Sequence, residues 1–197
     1  MAAKFDSAGT QVLRPATLAH IFLRTNKFGQ MVDFYKTILS AEAAYESSKI
    51  AFLSFDHEHH RIAIAALPDT GDKVRSSAGL EHVAFTYNSL DELALAYRQR
   101  KNLGIEPTWC VNHGITTSIY YQDPDGNNIE TQVDNFDDNN DATAFMMTEC
   151  FKRNPVGIDF DPEDLVRRLE SGEDQASIKQ RPDAKQAASE VAREKTM

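Results

Sequence analysis

Cysteine is scarce in this 197-residue chain, and positive charge is in deficit. The two cysteines, Cys110 and Cys150, share no motif spacing and therefore do not predict a disulfide scaffold. A formal net charge of −9 argues against nucleic acid and anionic membranes as main partners. No apolar run is long enough to cross a bilayer, and the N-terminal residues lack the profile of a secretory signal. We therefore expect a cytoplasmic protein.

A repeated unit occupies much of the chain. Each copy begins with a short predicted strand that carries histidine as its third residue, LAHIFLR in the first and LEHVAFT in the second. A predicted helix follows, and its tyrosine lies 15 residues after the histidine in both copies, from His20 to Tyr35 and from His82 to Tyr97. Three more strands complete each copy. They are predicted at residues 41–47, 50–55, 61–67, 104–110, 117–122 and 128–133.

The pattern predicts an α+β protein made of two βαβββ modules, at residues 17–68 and 79–136. An N-terminal arm precedes them, and a helical extension covers residues 137–197. The acidic run 134–141 is predicted to be a loop or linker. Residues 162–172 have proline at the start and glycine after the end of a helical pattern. Beyond this helix we expect a frayed or solvent-exposed tail.

Three histidines crowd into the turn SFDHEHHRIAIAAL, at positions 57, 59 and 60. From the residues alone three interpretations of this turn are open: a metal site, a catalytic base or a polar hairpin tip. The repeat points to a metal elsewhere. His20 and His82 occupy matching positions, and Glu130 lies on the last strand of the second copy, after the turn DPDGN. A single strand histidine is more often structural, so the matching positions are what favour a metal site.

Two imidazoles and one carboxylate suit Fe(II), and three protein ligands leave three octahedral positions for other molecules. Aligning the two copies places Ala63 at the position of Glu130. A symmetric site would need a fourth ligand there, and alanine cannot bind a metal. The more open metal face favours chemistry on a chelating substrate together with a second small molecule.

Several stretches together resemble the vicinal oxygen chelate superfamily, and within it the small, two-module extradiol ring-cleavage dioxygenases of the type I class. They are AHIFLRTN, FDHEHHRIAIAAL, LEHVAFTY and NHGITTSIYYQDPDGNNIETQVDNF, which span roughly residues 17–136. The segment NPVGIDFDPEDLVRRLESGE is similar to the C-terminal extension of single-domain members. The resemblance implies the glyoxalase/bleomycin-resistance/dioxygenase fold, with His20, His82 and Glu130 holding Fe(II), or Mn(II) in its place.

The resemblance also implies roles for three other residues. His60 matches the family histidine beside the O2 site, which can accept a proton from a catechol. Tyr120 matches a tyrosine that hydrogen-bonds the bound substrate, and His113 resembles a further active-site histidine. A neutral imidazole at position 60 is suited to taking up and returning a proton near physiological pH.

The activity implied is O2-dependent cleavage of a catechol ring next to the diol, in 2,3-dihydroxybiphenyl or another substituted catechol. The predicted exposed strands and the extended tail favour a homodimer or larger homo-oligomer. Two alternatives stay open: a glyoxalase-like metal-dependent isomerase or lyase, and a non-catalytic binding protein of the same superfamily. The isomerases need a fourth ligand at the place of Ala63. A further set of large residues lines an aryl-binding pocket or packs in the core or a dimer contact: Trp109, Phe145, Met146, Met147 and Phe160.

Overall fold

The computed structural model describes residues 12–184, and in it each copy of the repeat folds into its own mixed sheet. The first sheet has the strand order β1-β4-β3-β2, in which β1 and β4 are parallel and the other pairs antiparallel. A parallel pair needs a long crossover, and the helix of the module supplies it. The elements are β1 (Ile21–Arg24), α1 (Phe28–Ile38), β2 (Glu42–Glu46), β3 (Ile50–Ser54) and β4 (Ile62–Ala65).

The second sheet repeats this topology, in the order β5-β8-β7-β6-β9, with β5 and β8 parallel. The predicted pair of βαβββ modules is therefore confirmed. One strand, β9, was not predicted, and it extends the sheet by pairing antiparallel to β6. The elements are β5 (His82–Thr86), α2 (Leu90–Asn102), β6 (Trp109–Asn112), β7 (Thr116–Gln122), β8 (Asn128–Asp134) and β9 (Ile158–Asp159).

Two predicted boundaries differ from the structure. The strand predicted at residues 104–110 begins only at Trp109, because Gly104 adopts a left-handed conformation (φ 77°) directly after α2 and Ile105 still donates to the Arg100 carbonyl. The acidic run is only partly a loop. Strand β8 continues to Asp134, and α3 (Asn139–Met146) begins inside the run, where the Asp138 carboxylate accepts from the Asn140 backbone N–H.

The core lies between the helices and the inner faces of the two sheets. Both helices bury an apolar stripe, and the N-terminus of α2 is closed by Ser89, whose side chain accepts from the Glu92 N–H. Contacts between the modules hold them in a fixed relation. Arg100 donates to the Ile38 carbonyl at 2.7 Å, and the Tyr35 hydroxyl bonds the Asp123 carboxylate at 3.1 Å.

Five elements lie in the described part of the C-terminal extension: α3, α4 (Glu149–Arg153), β9, α5 (Pro162–Glu170) and α6 (Gln175–Lys179). The tail predicted beyond Glu173 is helical at α6, but the predicted exposure is wrong at two of its residues, because Ile178 is buried and Arg181 is only 1% exposed. The Arg181 guanidinium donates to the carbonyls of Asn154 and Cys150, at 2.8 and 3.1 Å. The rest of the predicted tail lies outside the described residues. Between residues 12 and 184 no helix has the length and apolarity needed to span a membrane.

Glu163 joins α5 to α2 and should make part of the stability depend on pH. It accepts from Lys101 at 2.6 Å and from Tyr97 at 2.7 Å, contacts that lower the pKa of its carboxyl. A carboxyl with a lowered folded-state pKa stabilises the fold above its ordinary value of 4.5, and the contribution is lost as the pH falls through the lowered value. We expect Glu163→Gln to lower the thermal midpoint at neutral pH and to match the wild type in acid. The exposed Glu170, changed to Gln, is the control, and a pH-independent difference for Glu163→Gln would contradict the prediction.

Candidate active site

His82 and Glu130 meet on the open face of the second sheet. Strands β5 and β8 pair in parallel with Ala84 opposite Glu130, so residues 82 and 130 point to the same side. His82 Nε2 lies 3.0 Å from Glu130 Oε2. Glu130 is only 4% exposed. A buried carboxylate without a partner costs several kcal/mol, and the contact with the His82 imidazole reduces this cost.

Tyr120 lies beside this pair. It stands directly opposite Glu130 in the antiparallel β7–β8 ladder, and its ring meets the His82 ring edge-on at 5.5 Å. Burial, together with the neighbouring Glu130 carboxylate, raises the pKa of the Tyr120 phenol well above its usual value. The phenol is therefore protonated at physiological pH and can donate a hydrogen bond. The Trp109 ring stacks on the Tyr120 ring, with centroids 5.0 Å apart.

His113 completes the cluster from the turn between β6 and β7. Its Nδ1 contacts the Val156 carbonyl, which can only accept, so Nδ1 carries the proton. In the neutral ring Nε2 is then an acceptor, and it receives the Tyr120 hydroxyl at 3.0 Å. The same nitrogen lies 3.9 Å from Glu130 Oε1. His82, Glu130, Tyr120 and His113 are called the β5–β8 cluster below.

The other two predicted site residues, His20 and His60, lie together on the first sheet and are called the β1–β4 cluster. Their ring centroids are 4.4 Å apart, and the His60 ring also packs on Phe52 at 4.9 Å. Burial, and the neighbouring imidazoles of His20 and His59, lower the pKa of His60, which favours its neutral form. His57, in the same turn, is exposed.

Arg61 positions the chain that leads to His20, and sequence reasoning missed it. Its Nη1 donates to the carbonyls of Leu18 and Ala19, at 2.8 and 3.0 Å, while Nε donates to Asp56 at 2.9 Å. The histidine-rich turn thus holds the start of β1 through the residue that follows it. No motif marks this arginine, because two of its three partners are backbone carbonyls more than 40 residues away.

The two clusters do not merge inside one chain. Across the described part of the chain, no three His, Cys, Asp or Glu side chains form a group that could hold a metal ion. His82 and Glu130 do fit two positions of such a site, since an imidazole nitrogen and a carboxylate oxygen face each other on neighbouring strands of one sheet. His20, the third predicted ligand, lies instead with His60.

Comparison with known proteins identifies the family to which the chain belongs. Residues 17–131 match the family described as the Glyoxalase/Bleomycin resistance protein/Dioxygenase superfamily. The chain belongs to this superfamily. Within it, the chain is 43% identical over 155 residues to biphenyl-2,3-diol 1,2-dioxygenase 2 of Rhodococcus globerulus, covering 78% of this chain and 82% of that one. It is 40% identical over 157 residues to biphenyl-2,3-diol 1,2-dioxygenase 3 of the same organism, covering 79% and 83%. The predicted class, an extradiol ring-cleavage dioxygenase, is confirmed by these relatives.

Solved structures of the superfamily share the fold of this member. A glyoxalase/dioxygenase from Nostoc punctiforme superposes with a TM-score of 0.51 at 20% identity, covering 64% of this chain and 99% of that one. The superposition thus leaves about a third of this chain unmatched. At this identity the likeness concerns the fold alone.

The strand register supports the alignment of Ala63 with Glu130 in this superfamily member. Phe22 faces Ala63 in the first module, as Ala84 faces Glu130 in the second. Alanine at this place supplies no fourth ligand, which counts against the isomerase alternative. Of the predicted aryl-pocket residues, Trp109 packs on Tyr120 of the β5–β8 cluster, whereas Phe145 packs on Phe136 and beneath Arg181.

Gly157 controls the position of His113, and replacing it should destabilise the protein. It has φ 116°, and an added Cβ would overlap the Asn112 carbonyl oxygen and lie 2.8 Å from His113 Cα. We expect Gly157→Ala to cost at least about 2 kcal/mol of unfolding free energy, from backbone strain and overlap together. Gly172→Ala is the matched control, since Gly172 also has positive φ but open space around it. Urea denaturation measures both, and equal losses would contradict the prediction.

Proposed function

We propose that this protein is an Fe(II)-dependent extradiol dioxygenase that cleaves a catechol ring next to its two hydroxyl groups with O2. The observation that carries the proposal is the His82–Glu130 pair on the open sheet face, in a chain 43% identical to a biphenyl-2,3-diol 1,2-dioxygenase. His82, Glu130 and His20 are the proposed ligands. Bound by them, iron would polarise the two catechol oxygens and provide the place where O2 meets the ring.

Tyr120 and His113 would hold the substrate. The phenol keeps its proton at physiological pH, so on substrate binding it can turn that proton from His113 Nε2 to a catechol oxygen that has become anionic. The Val156 carbonyl orients the His113 ring, so that Nε2 and the Tyr120 hydroxyl act as one positioned pair. The stacked Trp109 ring offers an apolar surface for the substituent of an aryl catechol such as 2,3-dihydroxybiphenyl.

His60 would act as the base. Burial and its imidazole neighbours lower its pKa, so the ring is neutral at physiological pH and can accept a proton from a catechol hydroxyl. Phe52 and the other rings packed against it limit water access on one side. A protonated His60 can then return the proton as the ring opens, which restores the starting state.

Iron content and O2 uptake test the proposal. Protein loaded with Fe(II) under anaerobic conditions and desalted should retain iron. It should then consume O2 with catechol and 2,3-dihydroxybiphenyl and form a yellow ring-opened product. Resorcinol is the matched control, because its hydroxyls are not adjacent and cannot chelate one metal. Absence of retained iron, or of O2 uptake with every vicinal diol, would overturn the proposal.

A further inference from the structure

Arg181 binds the main chain on both sides of the contact between His113 and Val156. It follows α6 and is only 1% exposed. Its Nη1 donates to the Asn154 carbonyl at 2.8 Å and to the His113 carbonyl at 3.3 Å. Its Nη2 donates to the Cys150 carbonyl at 3.1 Å. One planar guanidinium therefore fixes the His113 turn relative to the segment that carries Val156.

The segment around Val156 is itself a closed turn. The Asn154 Oδ1 accepts from the Gly157 N–H at 3.0 Å, and the Asn154 Nδ2 donates to the Gly157 carbonyl at 2.7 Å. Gly157 lies against the backbone at His113, where an added Cβ would be 2.8 Å from Cα. The turn is thus held by Arg181 at its start and by close packing at its end, and the Val156 carbonyl between them meets His113 Nδ1.

The Val156 carbonyl decides which nitrogen of His113 carries the proton. A free imidazole side chain in water prefers the Nε2–H form, and a hydrogen bond at one ring nitrogen can override that preference. Because Nδ1 donates to Val156, Nε2 stays unprotonated and accepts from the Tyr120 hydroxyl at 3.0 Å. If the carbonyl moved away, Nε2 would gain the proton, and Tyr120 would lose the acceptor that positions its hydroxyl.

We propose that Arg181 is a positioning residue of the active site, which together with Asn154 holds the Val156 carbonyl on His113 and so keeps Nε2 as the acceptor for Tyr120. The C-terminal extension then takes part in the reaction, because it sets the tautomer of a histidine in the second module. The importance for catalysis rests on the proposed function, in which His113 and Tyr120 hold the substrate. An arginine with a structural role alone would stabilise the extension and leave the tautomer unchanged.

The tautomer of His113 in the metal-free protein tests the inference directly. Isotope-labelled histidine gives different nitrogen NMR signals for the Nδ1–H and Nε2–H forms at about pH 8, where histidine side chains are ordinarily neutral. The His113 signals are those that disappear in His113→Gln. We expect Nδ1–H in the wild type and a shift of most of the population to Nε2–H in Arg181→Lys. Lysine keeps the charge, but one ammonium group lacks the fork that reaches three carbonyls at once.

Arg168→Lys is the matched control. Arg168 lies in the same extension and donates through Nε and Nη2 to the Glu173 carboxylate, so the substitution also removes a forked contact. It should leave the His113 tautomer unchanged. The wild-type tautomer in folded Arg181→Lys would overturn the inference, and so would an equal shift in Arg168→Lys. If Arg181→Lys does not fold, Asn154→Ala decides, because it opens the same turn and keeps the buried guanidinium. The wild-type tautomer in that variant would overturn the inference.

Steady-state kinetics of the iron-loaded protein measure what this positioning contributes to turnover. We expect Arg181→Lys to retain iron and to lower kcat/KM for 2,3-dihydroxybiphenyl by roughly 10- to 100-fold. Because Arg181 acts through His113, the substitution should cause no further loss in the His113→Gln background. Losses that multiply in the double variant would overturn the inference. A wild type without iron or O2 uptake would overturn the proposed function alone, since the tautomer is measured without metal.

Discussion

Replacing Glu130 by glutamine is expected to abolish stable iron binding and to lower kcat/KM by roughly a thousandfold or more, equivalent to several kcal/mol. Glutamine keeps the shape, and its amide oxygen can still accept from His82, but it removes the negative charge that a divalent cation requires. Retained iron after desalting and the rate of O2 uptake with 2,3-dihydroxybiphenyl are the two measurements. Loss of both together would support Glu130 as a ligand.

A matched substitution separates this effect from a general one. Glu106 is an exposed glutamate in the loop between α2 and β6, and Glu106→Gln should leave iron content and turnover unchanged. The thermal midpoint of metal-free Glu130→Gln should not fall, because the substitution relieves the cost of a buried carboxylate. Wild-type iron content and turnover in Glu130→Gln would contradict the assignment.

The second large effect is expected for His60→Ala. Because His60 is proposed as the base and not as a ligand, the variant should retain iron while kcat falls by roughly 10²- to 10⁴-fold. KM should change less than kcat, since the substrate-holding residues Tyr120 and His113 belong to the other cluster. Iron analysis and steady-state O2 uptake measure the two quantities.

His57→Ala is the control for this experiment, because it removes an exposed histidine from the same turn. It should retain both iron and turnover. Loss of iron in His60→Ala would instead make His60 a ligand or a support for His20, whose ring it contacts. Near wild-type turnover would exclude it as the base.

Local pattern was enough to predict most of the fold. The equal spacing of histidine and tyrosine in the two copies reflects a crossover of constant length between parallel strands, so it located the modules correctly. The alignment of Ala63 with Glu130 agrees with the register because strand pairing repeats with the topology. The capping residue Ser89 was also predictable, since its contact to Glu92 lies within one helical turn.

Contacts that depend on distant packing were not predictable in this way. Strand β9 has two residues, too few for a hydrophobic period. Arg181 is charged and close to the end of a polar segment, and its burial depends on carbonyls that only the folded extension presents. The candidate site likewise has a part that was predictable from local pattern and a part that was not. Its candidate residues follow from the repeat, whereas their grouping into two clusters depends on how the modules are placed.

The alanine at position 63 limits the negative charge of the proposed iron site. Two identical modules would place a carboxylate at both equivalent positions, 63 and 130, and the two charges would repel an anionic substrate. With alanine on one side, the negative charge comes from Glu130 alone, opposite a wall of imidazoles and aromatic rings. A divalent ion held by two imidazoles and this one carboxylate would keep a net positive charge, which one ionised catechol oxygen can balance. A second carboxylate at position 63 would remove that charge, so Ala63→Glu is expected to weaken binding of an ionised catechol.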